Sequence, residues 1–339
     1  MLSAKAFTSD PVANLQLGLG IELSVLPPYL YALWSIKPGA AGASVAAREA
    51  ANAIRAVVYE EMLHAALAAN VISSLGVTPQ FAANLMTYPG TLPGHVTTGP
   101  YAYQVGLIPL STDAINTFLK IEMPEWDVPS AQHVNSGGDW ITIAAFYDGV
   151  IAQLQALPAG SFGKGTQLPR SDNPGPGRLV NVNSLQAAVE AIDIIVDQGE
   201  GHKPPPPPPP DQPPDMSYQL DDQHEVAHYY QFQTIGGYFT ANQIDAATDL
   251  YPVIPNPNAA QYTAQQQQLN TAFNALYTQL IDSLQYAYTQ PAPSVFGGAT
   301  GLMNQLAQAA AQLRNAGFVP GTQYVAGPTF TYLGTNRRR

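Results

Sequence analysis

Apolar residues recur at helical spacing from close to the start of this chain. Over 14–36, Leu15, Leu19, Glu22, Leu26 and Leu33 follow one another at steps of three, four or seven. That is the stripe of an amphipathic helix. Pro27 and Pro28 fall inside it and should kink it, and Lys37 with the Pro-Gly after it ends it. The pattern predicts a second helix over 44–75, with Ser44 as N-cap and Gly76 as the stop. Its stripe is Ile54, Val57, Glu61, His64, Ala68, Val71 and Leu75. Two long helices joined by a short Gly/Ala loop predict an antiparallel hairpin, the start of a helix bundle.

Residues 77–110 are richer in Pro, Gly, Thr and aromatics and read as an irregular excursion. Further helices are predicted over 112–123, ending at Pro124, and over 140–157, 184–198 and 218–236. A loop is predicted over 158–182, and a C-terminal helical pair over 259–288 and 294–316. The run Pro204–Pro210 should be extended polyproline II, a surface spacer between two helices of one domain. The predicted fold class is all-α: a four-helix bundle with additional helices and long irregular loops. Residues 1–240 would form the bundle, carrying the 77–110 excursion and a proline-rich insertion over 203–214. Residues 241–339 would form a helical extension packed on it.

Composition narrows the chemistry. Of 339 residues, 46% are hydrophobic and only 11% charged, well below the charged fraction of roughly 25% in an average domain. The formal net charge is −11, with no basic cluster beyond Arg337, Arg338 and Arg339, so a nucleic-acid partner is not expected. There is no cysteine. Disulfides, thiolate nucleophiles and cysteine-held clusters are excluded, and any metal must take His, Asp, Glu or backbone oxygen. No signal-peptide pattern and no spanning apolar run stand out, so a cytoplasmic protein without a membrane partner is expected.

In so uncharged a chain, acidic residues on apolar stripes stand out. Two Glu-x-x-His sequences occur, Glu61-Met-Leu-His64 and Glu225-Val-Ala-His228. Residues three apart on a helix share a face, so each pair can offer a carboxylate and an imidazole to one centre. Glu22 takes a stripe position of the first helix where a leucine is expected. Glu200 follows Val196 by four, on the apolar face of its helix. Lone buried carboxylates are costly unless paired or metal-bound, and two divalent cations would be a common counter-ion. One Glu-x-x-His is weak evidence, since most are solvent-exposed; two, with two buried-looking glutamates, are stronger. Glu60 competes with Glu61, which follows the Ile54/Val57 stripe better. Glu122 competes with Glu200, although Pro124 ends its helix. His95, His133, Asp148 and His202 have no partner at ligand spacing. Tyr29, Trp34, Tyr229 and Phe232 could line an apolar chamber, while Tyr29, Tyr31 and Trp34 equally suit a core.

At these residues the chain resembles a known family. Glu22-Leu-Ser-Val-Leu-Pro-Pro-Tyr-Leu-Tyr, Glu60-Glu-Met-Leu-His64, Phe118-Leu-Lys-Ile-Glu-Met-Pro-Glu125, Gln198-Gly-Glu-Gly201 and His228-Tyr-Tyr-Gln-Phe232 are similar to the ferritin-like domain of the iminophenyl-pyruvate dimer synthase family. That family includes the large enzymes of violacein, rebeccamycin and staurosporine assembly. The resemblance spans about residues 15–235 and implies a ferritin-like bundle with Glu22, Glu61, His64, Glu200, Glu225 and His228 at the ligand positions. It also implies oxidative chemistry on amino-acid-derived metabolites, in secondary metabolism. The expected protein is then a di-metal oxidoreductase, with iron or else manganese, acting with O₂ on an aromatic or amino-acid-derived small molecule. Iron handling without an organic substrate is the alternative, and a helical scaffold recruiting a partner through its proline run is a third. A homo-oligomer and a partner at residues 204–210 are the macromolecular contacts this reading leaves open.

Overall fold

The computed structural model describes residues 7–38, 43–129, 139–169, 177–205, 215–289 and 295–334. Among them the chain forms α1 (Pro11–Ser35), α2 (Val45–Ser74), α3 (Thr112–Ile121), α4 (Ile143–Gln155), α5 (Leu185–Glu200), α6 (His228–Thr240), α7 (Ala246–Asp249), α8 (Ala264–Ala287) and α9 (Val295–Asn315). The β-pairing in the described residues is confined to isolated bridges, and the fold is all-α. No helix there is long and apolar enough to cross a membrane. Of the proline run, Pro204 and Pro205 are described; the rest, with His133 and the terminal arginines, lies outside the described residues.

Local chemistry explains the long helices. The Asp10 carboxylate accepts from Val12 N–H, and Pro11 stands in the first turn, where its missing N–H costs nothing. α1 runs through Pro27 and Pro28 rather than stopping. Pro28 lacks the N–H that would bond the Ser24 carbonyl, and the Tyr88 hydroxyl donates to that carbonyl instead, at 2.7 Å. The irregular excursion thus supplies the donor that α1 gives up. Ser44 caps α2 through its Oγ, 3.1 Å from Ala47 N, and is itself held by the Asp249 carboxylate. Gly76, at φ +81°, ends α2 in the left-handed region that glycine adopts without strain.

α1 lies along α2. α2 also carries α5 and α6, α4 packs on α1 and α5, and α3 packs on α6. The third and fourth positions of the bundle are each shared by two half-length helices, α3 with α4 and α5 with α6. Their interruptions fall at one level: Glu122, Ile143 and Glu200 line one cavity, and His228, the first residue of α6, touches Glu122. α8 and α9 pair with each other and close over α1. One set of buried apolar side chains runs from Leu15 and Val57 to Phe273 and Leu306. The Trp34 ring stacks on Phe330 at 5.8 Å and meets Phe273 edge-on.

Most predicted helices begin and end within a few residues of their expected bounds. The exception is the one expected over 218–236, which begins only at His228. Asp221 is the cause. Its Oδ1 accepts from Gln223 N–H at 2.8 Å and Glu225 N–H at 2.9 Å, while Asp221 N–H donates to Glu225 O at 2.8 Å. A short polar side chain here outcompetes the helix for backbone partners and closes a tight turn.

Candidate metal centre

Six polar side chains converge inside the bundle: Glu22 from α1, Glu60, Glu61 and His64 from α2, Glu122 at the C-cap of α3, and His228 at the first turn of α6. None is more than 5% exposed. The packing of α4 against α1 depends on Gly18, where a Cβ would stand 3.0 Å from the Tyr147 hydroxyl. One turn further on, that hydroxyl donates to Glu22 Oε1 at 2.5 Å. On the other side the Tyr29 hydroxyl donates to Glu122 Oε1. Each of these two carboxylates therefore has one oxygen held by a tyrosine.

The histidines are oriented from behind. His228 Nε2 lies 2.7 Å from Glu60 Oε2, and His64 Nε2 lies 2.9 Å from Gln198 Oε1. Both partners accept, so each imidazole carries its hydrogen on Nε2 and turns the Nδ1 lone pair inward. His64 Nδ1 is 3.4 Å from Glu61 Oε2 and 3.8 Å from Glu22 Oε2. His228 Nδ1 is 3.0 Å from Glu61 Oε1 and 3.6 Å from Glu122 Oε2. Glu61 is thus flanked by both imidazoles, one at each oxygen.

Among the described residues, the imidazoles are the groups that offset these carboxylates. Burial pushes the Glu61 carboxyl up, but His64 and His228 outweigh it and bring it down to about 2. Glu22 and Glu122 are raised, first by burial and then by the charge of Glu61. Burial alone would lower His228, but the carboxylates of Glu122, Glu60 and Glu61 around its ring raise it. His228 Nδ1 is nevertheless buried without a hydrogen-bond partner, although two carboxylate oxygens are within reach. A ring nitrogen and carboxylates so placed, with no hydrogen bond formed between them, fit a shared cation. Glu61, His64 and His228 each offer one atom within 4.8 Å of the others.

The expected ligands do not all meet there. Glu22, Glu61, His64 and His228 converge. Glu225 does not: it lies in the Asp221 turn, exposed, because the helix that would carry it one turn from His228 has not yet begun. Glu200, the last residue of α5, reaches the cavity rim, where its Oε2 accepts from Glu125 N–H at 3.0 Å. Glu122, and not Glu200, is the carboxylate beside His228. Glu60 serves as the partner that holds His228 from behind. Gln198 and Tyr147 were not anticipated. A polar residue three after Ile195 on the buried face of α5 was a usable signal for Gln198, as was a tyrosine on the Ala144/Val150/Leu154 stripe of α4 for Tyr147.

The expected aromatic chamber is also different. Tyr29, Phe118 and Phe232 fill their space with ring-to-ring contacts, centroids 4.7–5.1 Å apart. Trp34 is drawn to Phe330 and Phe273, away from the centre, and the Tyr229 hydroxyl lies at the surface, bonded to Asp127. The space beside the carboxylates is a cavity of about 20 Å³, walled by Ile121, Met123, Ile143, Ala144, Ile195 and Val196 with Glu200 at its edge. Gly199 permits its closeness to α5, since a Cβ there would stand 3.3 Å from Glu122 Oε2.

Glu200 allows a test. Burial pushes its carboxyl up to about 8, against a bond from Glu125 N–H that pulls it down. A raised carboxyl contributes its stability while protonated. The contribution is complete below the ordinary carboxylate range and disappears as pH rises through about 8. In metal-free protein, Glu200→Gln should melt with the wild type near pH 5 and above it near pH 9. A melting difference that is the same at both pH values would refute this.

Comparison with known proteins agrees with the all-α fold. The family model described as ferritin-like matches residues 15–236. A curated relative, dichlorochromopyrrolate synthase of Lentzea aerocolonigenes, is 25% identical over 295 residues, covering 74% of this chain. The match covers only 27% of that protein, so this chain spans about a quarter of its relative's length. The crystal structure of a ferritin-like protein from Caulobacter vibrioides superposes with a TM-score of 0.66 at 24% identity, covering 93% of this chain and 97% of that one. It supports the fold. The matched span runs from α1 into α6 and contains every buried carboxylate and histidine of the centre: the chain belongs to the ferritin-like family.

Proposed function

We propose that the chain is an oxygen-dependent oxidoreductase whose buried centre holds two divalent ions, iron or manganese, and that it acts on an aromatic or amino-acid-derived small molecule. The observation that carries this reading is the inward pair of Nδ1 atoms on either side of Glu61. Each is fixed by a partner on its Nε2, and one has no hydrogen-bond partner of its own. Nitrogen and oxygen donors without sulfur suit both metals. Bound at Glu22, Glu61, His64, Glu122 and His228, such a pair supplies the redox equivalents that O₂ chemistry needs. The kinship with a biosynthetic synthase supports an organic substrate.

The chain's own residues do the rest. Glu60 and Gln198 fix the imidazole tautomers, so that the lone pairs need no reorganisation. Tyr147 and Tyr29 each restrain one carboxylate oxygen and leave the other free to turn toward the centre. Ile121, Ile143, Ile195 and Val196 make the wall beside the carboxylates apolar. Glu200, raised to about 8, can hold a proton near neutral pH on Oε1, the oxygen that Glu125 does not occupy.

One observation favours the second reading, iron oxidation without an organic substrate. A cavity of about 20 Å³ has room for roughly one water-sized body, enough for O₂ but not for an aromatic metabolite. A substrate would have to act from the rim or open the cavity. Elemental analysis with oxygen uptake separates the two. About two ions per chain are expected on the stoichiometry of such bundles. Sustained O₂ consumption only with an added aromatic or amino-acid-derived compound supports the oxidoreductase, and a single burst with Fe(II) alone supports iron handling. Protein reconstituted with either metal yet retaining none would sink both.

A further inference from the structure

Gln198 faces two ways. Its Oε1 holds His64, while its Nε2, on a side chain only 2% exposed, has no hydrogen-bond partner. The same residue lines a groove of about 520 Å³ with Glu190, Asp193, Asp197, Asp221 and Asp222. Among the described residues the one basic side chain of that lining, Arg178, is paired with Glu190. At its edge His202 lies between two carboxylates, with Nδ1 3.9 Å from Asp197 Oδ1 and Nε2 3.4 Å from Asp222 Oδ1. One ligand atom from each of the three lies within 4.8 Å of the other two.

We propose that Asp197, His202 and Asp222 form a second divalent-cation site, separate from the buried centre. Two carboxylates and an imidazole are a donor set for first-row divalent ions. The surplus of negative charge along the groove raises the local concentration of cations. Asp222 is largely exposed and His202 partly so, so small side-chain rotations can close the three donors on one ion. An ion at such an open site keeps part of its water shell. The groove then stands one side chain away from His64, with Gln198 between them, and serves as a place where an ion waits before the centre is loaded. The site does not depend on the buried centre being occupied.

The test is a titration of metal-stripped full-length chain with Mn²⁺, following the free ion by electron paramagnetic resonance. Wild type should bind one more Mn²⁺ per chain than the His202→Ala/Asp222→Asn variant, and the step lost should be the weakest. Tight binding, which reports the buried centre, should be the same in both proteins. Both substitutions are at the surface, and circular dichroism should show the same helix content. Equal binding by the two proteins overturns the proposal, as does a variant that loses a tight step and keeps the weak one. If wild type shows the weak step alone, this proposal stands and the reading of the buried centre fails.

Discussion

Glu61→Ala should leave a folded protein that no longer retains metal. Glu61 is the residue whose two oxygens face both inward imidazole nitrogens, at 3.0 and 3.4 Å. Without it, His64 and His228 have no carboxylate in common. Its neighbour provides the contrast. Glu60 lies behind His228, and in Glu60→Gln the amide oxygen can still accept from Nε2–H. Loss of a partner behind a ligand usually costs ~10–100-fold in metal affinity. Elemental analysis after gel filtration should therefore show metal lost from Glu61→Ala and only weakened retention in Glu60→Gln. Equal retention by the two variants would mean that the roles assigned to these adjacent residues are wrong. Glu61 also bears on metal-free stability. Its depressed carboxyl contributes stability above the ordinary carboxylate range and loses it as pH falls toward about 2.

Phe232→Ala should be the most damaging core substitution near the centre. The ring is fully buried and in contact with both Tyr29 and Phe118. Truncating a buried Phe costs roughly 3–5 kcal/mol, through lost burial and the cavity left behind. The effect should also reach the metal. Tyr29 would lose the packing that aims its hydroxyl at Glu122, so denaturant unfolding and metal retention should weaken together. A variant with wild-type metal retention but lower stability would show that Tyr29 is aimed by something other than this cluster.

The parts of the centre that were legible in the sequence lie in the middle of long helices. Glu22 and the Glu61/His64 pair stand at helical spacing among apolar residues in helices of 25 and 30 residues, so a carboxylate in the middle of such a helix was itself the signal. The difficulty lies at element ends. Glu225 reads as the partner of His228 only if one helix carries both, and Asp221 turns the backbone away first. Glu122 follows Phe118 by four on the apolar side of α3, the same signal that marks Glu22, but the nearby Pro124 makes a helix end look peripheral. In this bundle the ends of α3 and α6 are central. Glu60 shows a further limit. Adjacent residues on a helix point about 100° apart, and both can be buried when the helix is surrounded, as α2 is by α1, α5 and α6. Of the two readings of Trp34 the core one applies, and periodicity does not reveal that the C-terminal helices cover that end of α1.

The shared interruption of the third and fourth bundle positions affects how the chain can vary. Ligands in mid-helix require every residue between them to keep its register. Glu122 and His228 instead stand where helices stop and start, and each is followed or preceded by a long connection. The chain between Glu122 and Ile143, and between Gly201 and His228, can lengthen or shorten without turning either side chain away, provided the flanking helices stay seated. The proline tract falls in the second of these intervals. The same layout makes His228 the first residue to fray if α6 unwinds from its N-terminus. Amide exchange in the first turn of α6 should then respond to metal before any other helix does.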